Sequence, residues 1–261
     1  MILISAQERM RNIRFRIFLI AVICFSALAA VLAERFFSCK TVVASQARGI
    51  YYRSVYVLQS LNEAAAEEKA VIPAGIIYSD ETESLLHHPD KILVLGRIAE
   101  DLASLRAEFP DAWLFEAYAR MALGERAEAA RLLAHYVAEN EYRPAYYALL
   151  CENLAESGDY VSLLVFSREW KEKDPSCNLD RSRYVLAAFY NSGRFDEALE
   201  AARAEGGCLG WEAEVYAAKA ILGQGDEDHA RQVLLRAESR FAENAAQIRR
   251  LWDLLRGKSV L

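Results

Sequence analysis

The sequence predicts an all-α protein in which antiparallel helical hairpins stack behind an N-terminal membrane segment. Three observations support this prediction. The 261 residues include only 12 Gly and 5 Pro, which is few for a turn-rich all-β chain. Gly124, Gly158, Gly193 and Gly225 recur at intervals of 34, 35 and 32 residues. An uncharged apolar run covers residues 17–33.

Charge is distributed unevenly along the chain and limits the classes of partner. Residues 1–16 carry +3 and residues 34–60 another +3, so a net charge of -6 for the whole chain leaves -12 for residues 61–261. A nucleic-acid partner requires a basic face that releases counterions. We therefore expect the main body to bind no nucleic acid.

Residues 17–37 are predicted to form a single transmembrane helix or signal anchor. The run lies near the length of about 20 residues that a bilayer requires. The basic segment 1–16 holds four arginines directly before it, and the positive-inside rule places this segment in the cytoplasm. Everything after the span is then expected outside the cytoplasm, in the periplasm of a bacterium. Cleavage as a signal peptide stays open, because small residues occur within 27–33.

Residues 38–75 are predicted to form a helical stalk that continues from the membrane. Apolar residues recur at intervals of three and four from Val43 to Ala65. Pro73 and Gly75 end this pattern.

Residues 76–110 are predicted to form a degenerate helical hairpin. A short helix is expected to begin around Ser79, and a second helix runs from Asp90, an N-cap candidate, to about Phe109. Pro110 closes the second helix.

Residues 111–242 carry the periodic signal and are predicted to form four hairpins. Small or apolar residues stand seven before and five after each glycine: Ala117, Cys151, Leu186 and Ala218, then Ala129, Leu163, Ala198 and Ala230. Glycine permits the tight turn, and small residues let two helix backbones approach closely. Because one hairpin cannot bury its own apolar face, neighbouring hairpins must stack.

Residues 243–261 are predicted to form a capping helix and a tail. Ile248, Leu251 and Trp252 fall on one face of this helix, and Arg249 falls on the other. An apolar inner face and a charged outer face are typical of the helix that ends a repeat array.

The periodic region resembles the tetratricopeptide repeat family over about residues 110–242, half of the chain. The best-preserved turn runs from Gly193 to Leu199. Trp113 stands where the family favours tryptophan, and Pro175 stands where it often closes the second helix.

Two repeats depart from the family pattern. The bulky residue nine positions after the glycine is present as Leu133 and Leu234 but is replaced by Ser167 and Ala202 in the middle repeats. The closing proline is also missing from most units.

The resemblance implies a right-handed superhelix of hairpins with a groove that binds peptides or helices. Residues thirteen, ten, six and three before each glycine face the groove in this family. The residues carried over here, called the predicted groove, are Leu114, Tyr118, Met121, Glu152, Asp180, Arg183, Tyr190, Glu212, Val215 and Lys219. Their mixture of aromatics and both charges suits a peptide better than a plain apolar helix. A solvated repeat face without a ligand is the alternative.

The sequence contains no recognisable catalytic or cofactor motif. A glycine-rich phosphate loop, Gly-x-Ser-x-Gly, His-Glu-x-x-His and Cys-x-x-Cys are all absent. His87 and His88 are adjacent, so on a helix end their side chains point in different directions and do not suit a metal. The sequence therefore predicts no enzyme, no cofactor and no metal site.

A disulfide is predicted between Cys177 and Cys208. Cys177 precedes the first helix of the third hairpin and Cys208 follows its second helix, so antiparallel packing places both at the same end. An oxidising compartment would permit the bond. Two unrelated loop thiols are the alternative.

These features together predict a membrane-tethered scaffold that mediates protein–protein interaction at the outer face of the membrane. The expected partners are other membrane or envelope proteins. An accessory or assembly subunit of a membrane complex, held mainly through its transmembrane helix and stalk, is the second hypothesis. An enzyme with an unrecognised site is the third.

Overall fold

The computed structural model describes residues 43–176 and 178–256, and every regular element in those ranges is helical. Helix α1 covers 43–61. The others are α2 (Glu63–Ala66), α3 (Ala74–Ile77), α4 (Asp80–Leu86), α5 (Lys91–Leu105), α6 (Ala112–Ala122), α7 (Arg126–Glu139), α8 (Pro144–Ser157), α9 (Tyr160–Lys173), α10 (Leu179–Asn191), α11 (Phe195–Glu205), α12 (Trp211–Gly223), α13 (Glu227–Arg240) and α14 (Ala245–Arg256). The all-α prediction is confirmed for this part of the chain.

Helices α6 to α13 form four tetratricopeptide-like hairpins within the described ranges, namely α6–α7, α8–α9, α10–α11 and α12–α13. Successive hairpins stack because the second helix of each one packs on the first helix of the next. First helices also contact each other, α8 with α10 and α10 with α12. Helix α5 packs along α6 before the first hairpin.

Each hairpin turns at a glycine in the left-handed conformation. The φ angles are +79° at Gly124, +78° at Gly158, +69° at Gly193 and +88° at Gly225. In all four turns the N–H of the residue after the glycine donates to the carbonyl five residues earlier, at 2.9 to 3.3 Å. This is the Schellman arrangement, which favours glycine because it has no Cβ. The predicted turn glycines are confirmed.

Helix α1 differs from the predicted stalk because it is part of the main core. Val55, Val57 and Leu58 are fully buried. The ring of Tyr51 stacks on Phe109, with centroids 4.3 Å apart and planes at 6°. A free stalk would leave this apolar stripe in water, so burial against the body is favoured.

The helical pattern of the predicted stalk is interrupted at Asn62. The Asn62 side chain accepts hydrogen bonds from the N–H groups of Ala64 and Ala65, at 3.0 and 3.3 Å. This bonding begins the four-residue helix α2, after which residues 67–73 are not helical. Asparagine competes with the helical backbone in this way and marks a new helix start.

The N-cap predicted at Asp90 is present, and Ser79 caps the short helix before it. Ser79 Oγ accepts from Thr82 N–H at 3.2 Å, and Asp90 Oδ1 accepts from Leu93 N–H at 3.0 Å. Helix α5 ends at Leu105, earlier than the predicted Phe109.

The predicted transmembrane span, 17–37, lies outside the described residues, as do 1–16 and 38–42. None of the helices that the structure does describe combines the length and apolar character needed to cross a bilayer. The membrane segment therefore stays a prediction.

Candidate partner-binding face

The first helices α6, α8, α10 and α12 form the surface that we call the first-helix face, and the predicted groove residues all lie on these helices. Its front comprises α6 and the start of α8, its middle the rest of α8 with α10 and the start of α12, and its back the rest of α12. The structure differs from the prediction at four groove residues. Leu114, Tyr118, Val215 and Lys219 have exposed fractions of 2%, 5%, 0% and 1%. Different parts of the chain bury these residues at the front and at the back of the face.

At the front, the chain covers its own face with residues 62–73, which we call the covering segment. Asn62 Nδ2 donates to the Tyr118 carbonyl oxygen at 3.2 Å. The Tyr118 hydroxyl donates to Glu68 Oε1 at 2.9 Å, and the Tyr146 hydroxyl donates to Glu68 Oε2 at 3.0 Å. Each oxygen of one carboxylate thus accepts from a different first helix. The covering segment therefore occupies the surface of Tyr118, which is not available to a partner.

Local contacts hold Glu68 in this position. Gln59 Nε2 donates to the carbonyl oxygens of Glu68 and Ala65, at 2.7 and 3.3 Å. Ala65 is fully buried, which fixes the short helix before the turn. Arg143 Nη1 donates to the Tyr146 hydroxyl at 3.1 Å and so supports the second tyrosine.

The electrostatics of the front favour tyrosine hydroxyls as donors. Burial raises the pKa of Tyr118, and the neighbouring Glu68 carboxylate raises it further. Burial and the hydrogen bond to Glu68 raise the pKa of Tyr146 in the same way. Both hydroxyls therefore keep their protons at neutral pH and can donate to a carboxylate.

At the back, helix α14 covers the groove residues of α12. Ile248 is fully buried in a cluster with Val215 and Ala237. The Nζ of Lys219 lies 4.1 Å from the centre of the Trp252 ring, which is within cation–π range. The capping helix therefore occupies the surface that the pattern offered to a ligand.

The middle of the face keeps its groove residues accessible. Glu152 and Asp180 are exposed, and Met121, at the edge of the front, is half-buried. Arg183 Nη1 and Glu212 Oε2 form an ion pair at 2.8 Å, with side chains 29% and 28% exposed. This pair joins α10 to α12.

Aromatic rings surround the ion pair. The Arg183 guanidinium lies 4.4 Å above the Tyr184 ring and donates to its hydroxyl at 2.5 Å. Burial raises the pKa of Tyr184 to about 12, even though Arg183 acts in the opposite direction. The rings of Tyr190 and Tyr216 are 5.8 Å apart. The middle thus offers an ordered ion pair, aromatic rings and exposed carboxylates.

Sequence reasoning missed the residues that close the front. Glu68 lies 50 residues from Tyr118 and 78 from Tyr146 in the chain, and it stands outside the glycine-based repeat. Asn62 was the available signal, because an N-cap residue within a helical pattern indicates a break.

The predicted disulfide is not tested by the structure. Cys208 is a half-buried free thiol in the 3-10 turn Gly206–Cys208. Cys177 lies outside the described residues. Within those residues, no group of three or more His, Cys, Asp or Glu is arranged to hold a metal ion.

No family model matches the sequence, and no curated protein matches it. Among solved structures, the chain has low similarity to those of MamA. MamA AMB-1 in crystal form C2221 is 17% identical, with 74% of this chain and 98% of that chain covered and a TM-score of 0.47. MamA MSR-1 in form C2 is 17% identical, with 61% and 92% covered and a TM-score of 0.46.

Proposed function

We propose that the chain is a non-enzymatic scaffold that binds a partner protein on its first-helix face. The main support for this proposal is the covering segment. The front of the face already holds the covering segment, most of which is not helical, through one carboxylate, two tyrosine hydroxyls and one backbone carbonyl. A surface that binds 62–73 of its own chain has the chemistry to bind a stretch of another chain nearby.

The middle of the face is the proposed binding site. Arginine and tyrosine are enriched among residues that dominate interface energies, and the partly exposed Arg183, Tyr190 and Tyr216 supply both types here. The exposed carboxylates of Glu152 and Asp180 favour basic side chains in the partner. We therefore propose an extended partner segment that carries basic and aromatic residues.

We further propose that residues 17–37 anchor this scaffold in a membrane with the hairpins outside the cytoplasm. The apolar run and the arginines of 1–16 support this orientation. Alkaline phosphatase fused after Leu261 should be active. An inactive fusion would contradict the orientation, and a mature protein that begins near residue 30 or 34 would contradict the anchor.

The binding site is tested by photo-crosslinking in cells that express the full-length chain. A photo-crosslinking amino acid at position 152 or 180 should give an adduct with the same protein. Position 228 is the matched control, because Asp228 is also exposed but lies on the second helix α13. The full chain is required, since a fragment beginning at residue 100 would cut α5 and remove part of the main core.

A charge change then tests the ion pair. Arg183→Glu should abolish the adduct, and Arg183→Glu with Glu212→Arg should restore stability without restoring the adduct. Equal adducts from 152 and 228 would contradict the proposed site. Adducts from positions within 17–37 alone would favour the accessory-subunit hypothesis instead.

A further inference from the structure

A cavity of about 440 Å³ lies between the second helices α9 and α11, with α10 beneath it. The described residues that line it include none from the predicted groove. The cavity is therefore a separate surface from the one proposed above for partner binding.

The cavity lies where the middle hairpins lack a large side chain. Nine positions after the turn glycine, the first hairpin has Leu133, which is fully buried in the main core. The second hairpin has Ser167 at that position, and Ser167 lines the cavity. Ala201 and Ala204 form the facing wall on α11. Small residues on both walls leave the space that a leucine would fill.

The opening of the cavity is apolar and exposed to solvent. Val161 and Val165 lie one turn apart on α9 and are 78% and 55% exposed. Val185 and Phe189 continue the apolar lining on α10. Exposed contiguous apolar surface of this kind indicates a binding site.

The charged residues around the cavity are mostly basic. Arg168, Lys171, Arg181 and Arg194 line it, and Glu205 is the acidic residue among the described lining residues. The Glu205 carboxylate is already paired, with Lys171 Nζ at 2.6 Å and Arg181 Nη2 at 3.6 Å. Because residues 61–261 carry -12 in total, this basic surface stands out from the rest of the body.

Two of these cations have unused capacity toward a ligand. Arg181 is 2% exposed and donates to the carbonyls of Asp174 and Ser176, yet its Nε has no hydrogen-bond partner among the described residues. Arg168 is exposed and forms no ion pair within the described ranges. Both can interact with an anionic group that enters the cavity.

We infer that this groove binds an amphipathic helix of a partner protein that has an aliphatic stripe and an acidic flank. Its lining on α9 extends from Val161 to Lys171, which is about 15 Å or three helical turns. A helix laid in such a groove places aliphatic side chains at i, i+3, i+4 and i+7 on the apolar lining. Its acidic flank then meets the exposed Arg168.

The groove is basic, so the basic and uncharged segments of this chain are not suited to it. The N-terminal segment 1–16 is basic, and the adjoining run 17–33 is uncharged. The outer face of α14 carries Arg249 and Arg250. Charge complementarity therefore favours a different protein.

The test uses the full-length chain in phosphatidylcholine nanodiscs and a fluorescent peptide of about 18 residues. The peptide has a leucine stripe flanked by glutamates, and the matched peptide has lysine in place of every glutamate. Fluorescence anisotropy should show about tenfold or more tighter binding of the glutamate peptide, with an affinity that falls as salt rises. Empty nanodiscs measure binding to lipid.

Two variants and one control locate the binding. Ser167→Leu fills the cavity without changing charge and should raise the Kd of the glutamate peptide about tenfold or more. Arg168→Glu should raise it roughly threefold to tenfold. Arg236→Glu makes the same charge change at an exposed residue of α13 and should leave the Kd unchanged. If Ser167→Leu lowers the melting temperature strongly, Arg168→Glu decides the test.

Four results would overturn the inference. One is equal affinity for the two peptides, and another is a Kd that Arg168→Glu does not change. The third is binding of dodecanoate in the groove without binding of the glutamate peptide, which would assign the site to a free anionic amphiphile. Self-association that Ser167→Leu abolishes, with no peptide bound, would assign it to a second copy and also overturn the inference. Since Ser167 and Arg168 lie on the second helix α9, outside the first-helix face, failure here leaves the crosslinking test at position 152 unaffected.

Discussion

The front and the back of the molecule bury their apolar side chains in different ways. The N-terminal helices and the first two hairpins share one core whose buried residues extend from Ala47 to Ala188. The last two hairpins and α14 use three smaller clusters within the described residues. The front is thus closed by its own N-terminal segment, which fills the first-helix face there. The hairpins behind it keep accessible surfaces, which we propose as binding sites for other proteins.

Among the substitutions that compare the front with the back, Leu58→Ala should produce the largest loss of stability. Leu58 is fully buried in the core, so removing its side chain should lower the free energy of unfolding by about 2–5 kcal/mol in urea denaturation. Val43→Ala is the control, because Val43 is 54% exposed on the same helix, and should change it by less than about 0.5 kcal/mol. Equal small effects would show that α1 is a separate stalk after all.

Glu68→Ala should have the next largest effect. It removes the acceptor of two hydroxyls, those of the buried Tyr118 and Tyr146, and should cost about 1–3 kcal/mol of unfolding free energy. Glu67→Ala changes the adjacent exposed carboxylate and should be nearly neutral. A loss as large from Glu67→Ala as from Glu68→Ala would contradict the role of the hydrogen bonds.

The turn glycines should behave alike in front and back. Gly124→Ala and Gly193→Ala should each cost about 1 kcal/mol, because both glycines adopt positive φ in the same Schellman turn. Gly96→Ala is the control within helix α5, where an added Cβ meets nothing within 4 Å, and should stabilise by about 0.5–1 kcal/mol. A larger loss of unfolding free energy for Gly193→Ala than for Gly124→Ala would show that the turns differ between the front and the back.

Thiol labelling compares the two regions without changing stability. Burial raises the pKa of the Cys151 thiol to about 12, so little thiolate is present at pH 8 and we expect no alkylation in the folded protein. The half-buried Cys208 should be alkylated once the protein has been reduced. Mass spectrometry of non-reduced protein then tests the predicted bond to Cys177, which two free thiols would exclude.

Local rules explain what could be predicted from the sequence. The turn at Gly193 depends only on the residues around it, because a left-handed residue followed by a new helix is a short-range pattern. The N-cap Asp90 is of the same kind. Both were predicted correctly because neighbours in the chain determine them.

Contacts between distant residues explain what was missed. Glu68 meets Tyr146 across 78 residues, and no periodicity connects them. The cavity depends on the small side chain of Ser167. The sequence shows this serine as a departure from the repeat pattern. It does not show which neighbouring side chains leave the space unfilled. Tertiary packing determines both features.

The most direct test of the account is limited trypsin digestion of the full-length chain at Lys69, which lies in the covering segment. Proteolysis requires local opening, so the bond after Lys69 should be cut slowly in the native protein. Tyr118→Phe combined with Tyr146→Phe removes both hydroxyls that bind Glu68 and should accelerate this cut by about tenfold or more. Tyr78→Phe, at a residue that is 84% exposed, should not change the rate. Cleavage at Lys69 that is equally fast in the native chain and in the double variant would contradict the claim that the chain covers the front of its own binding face.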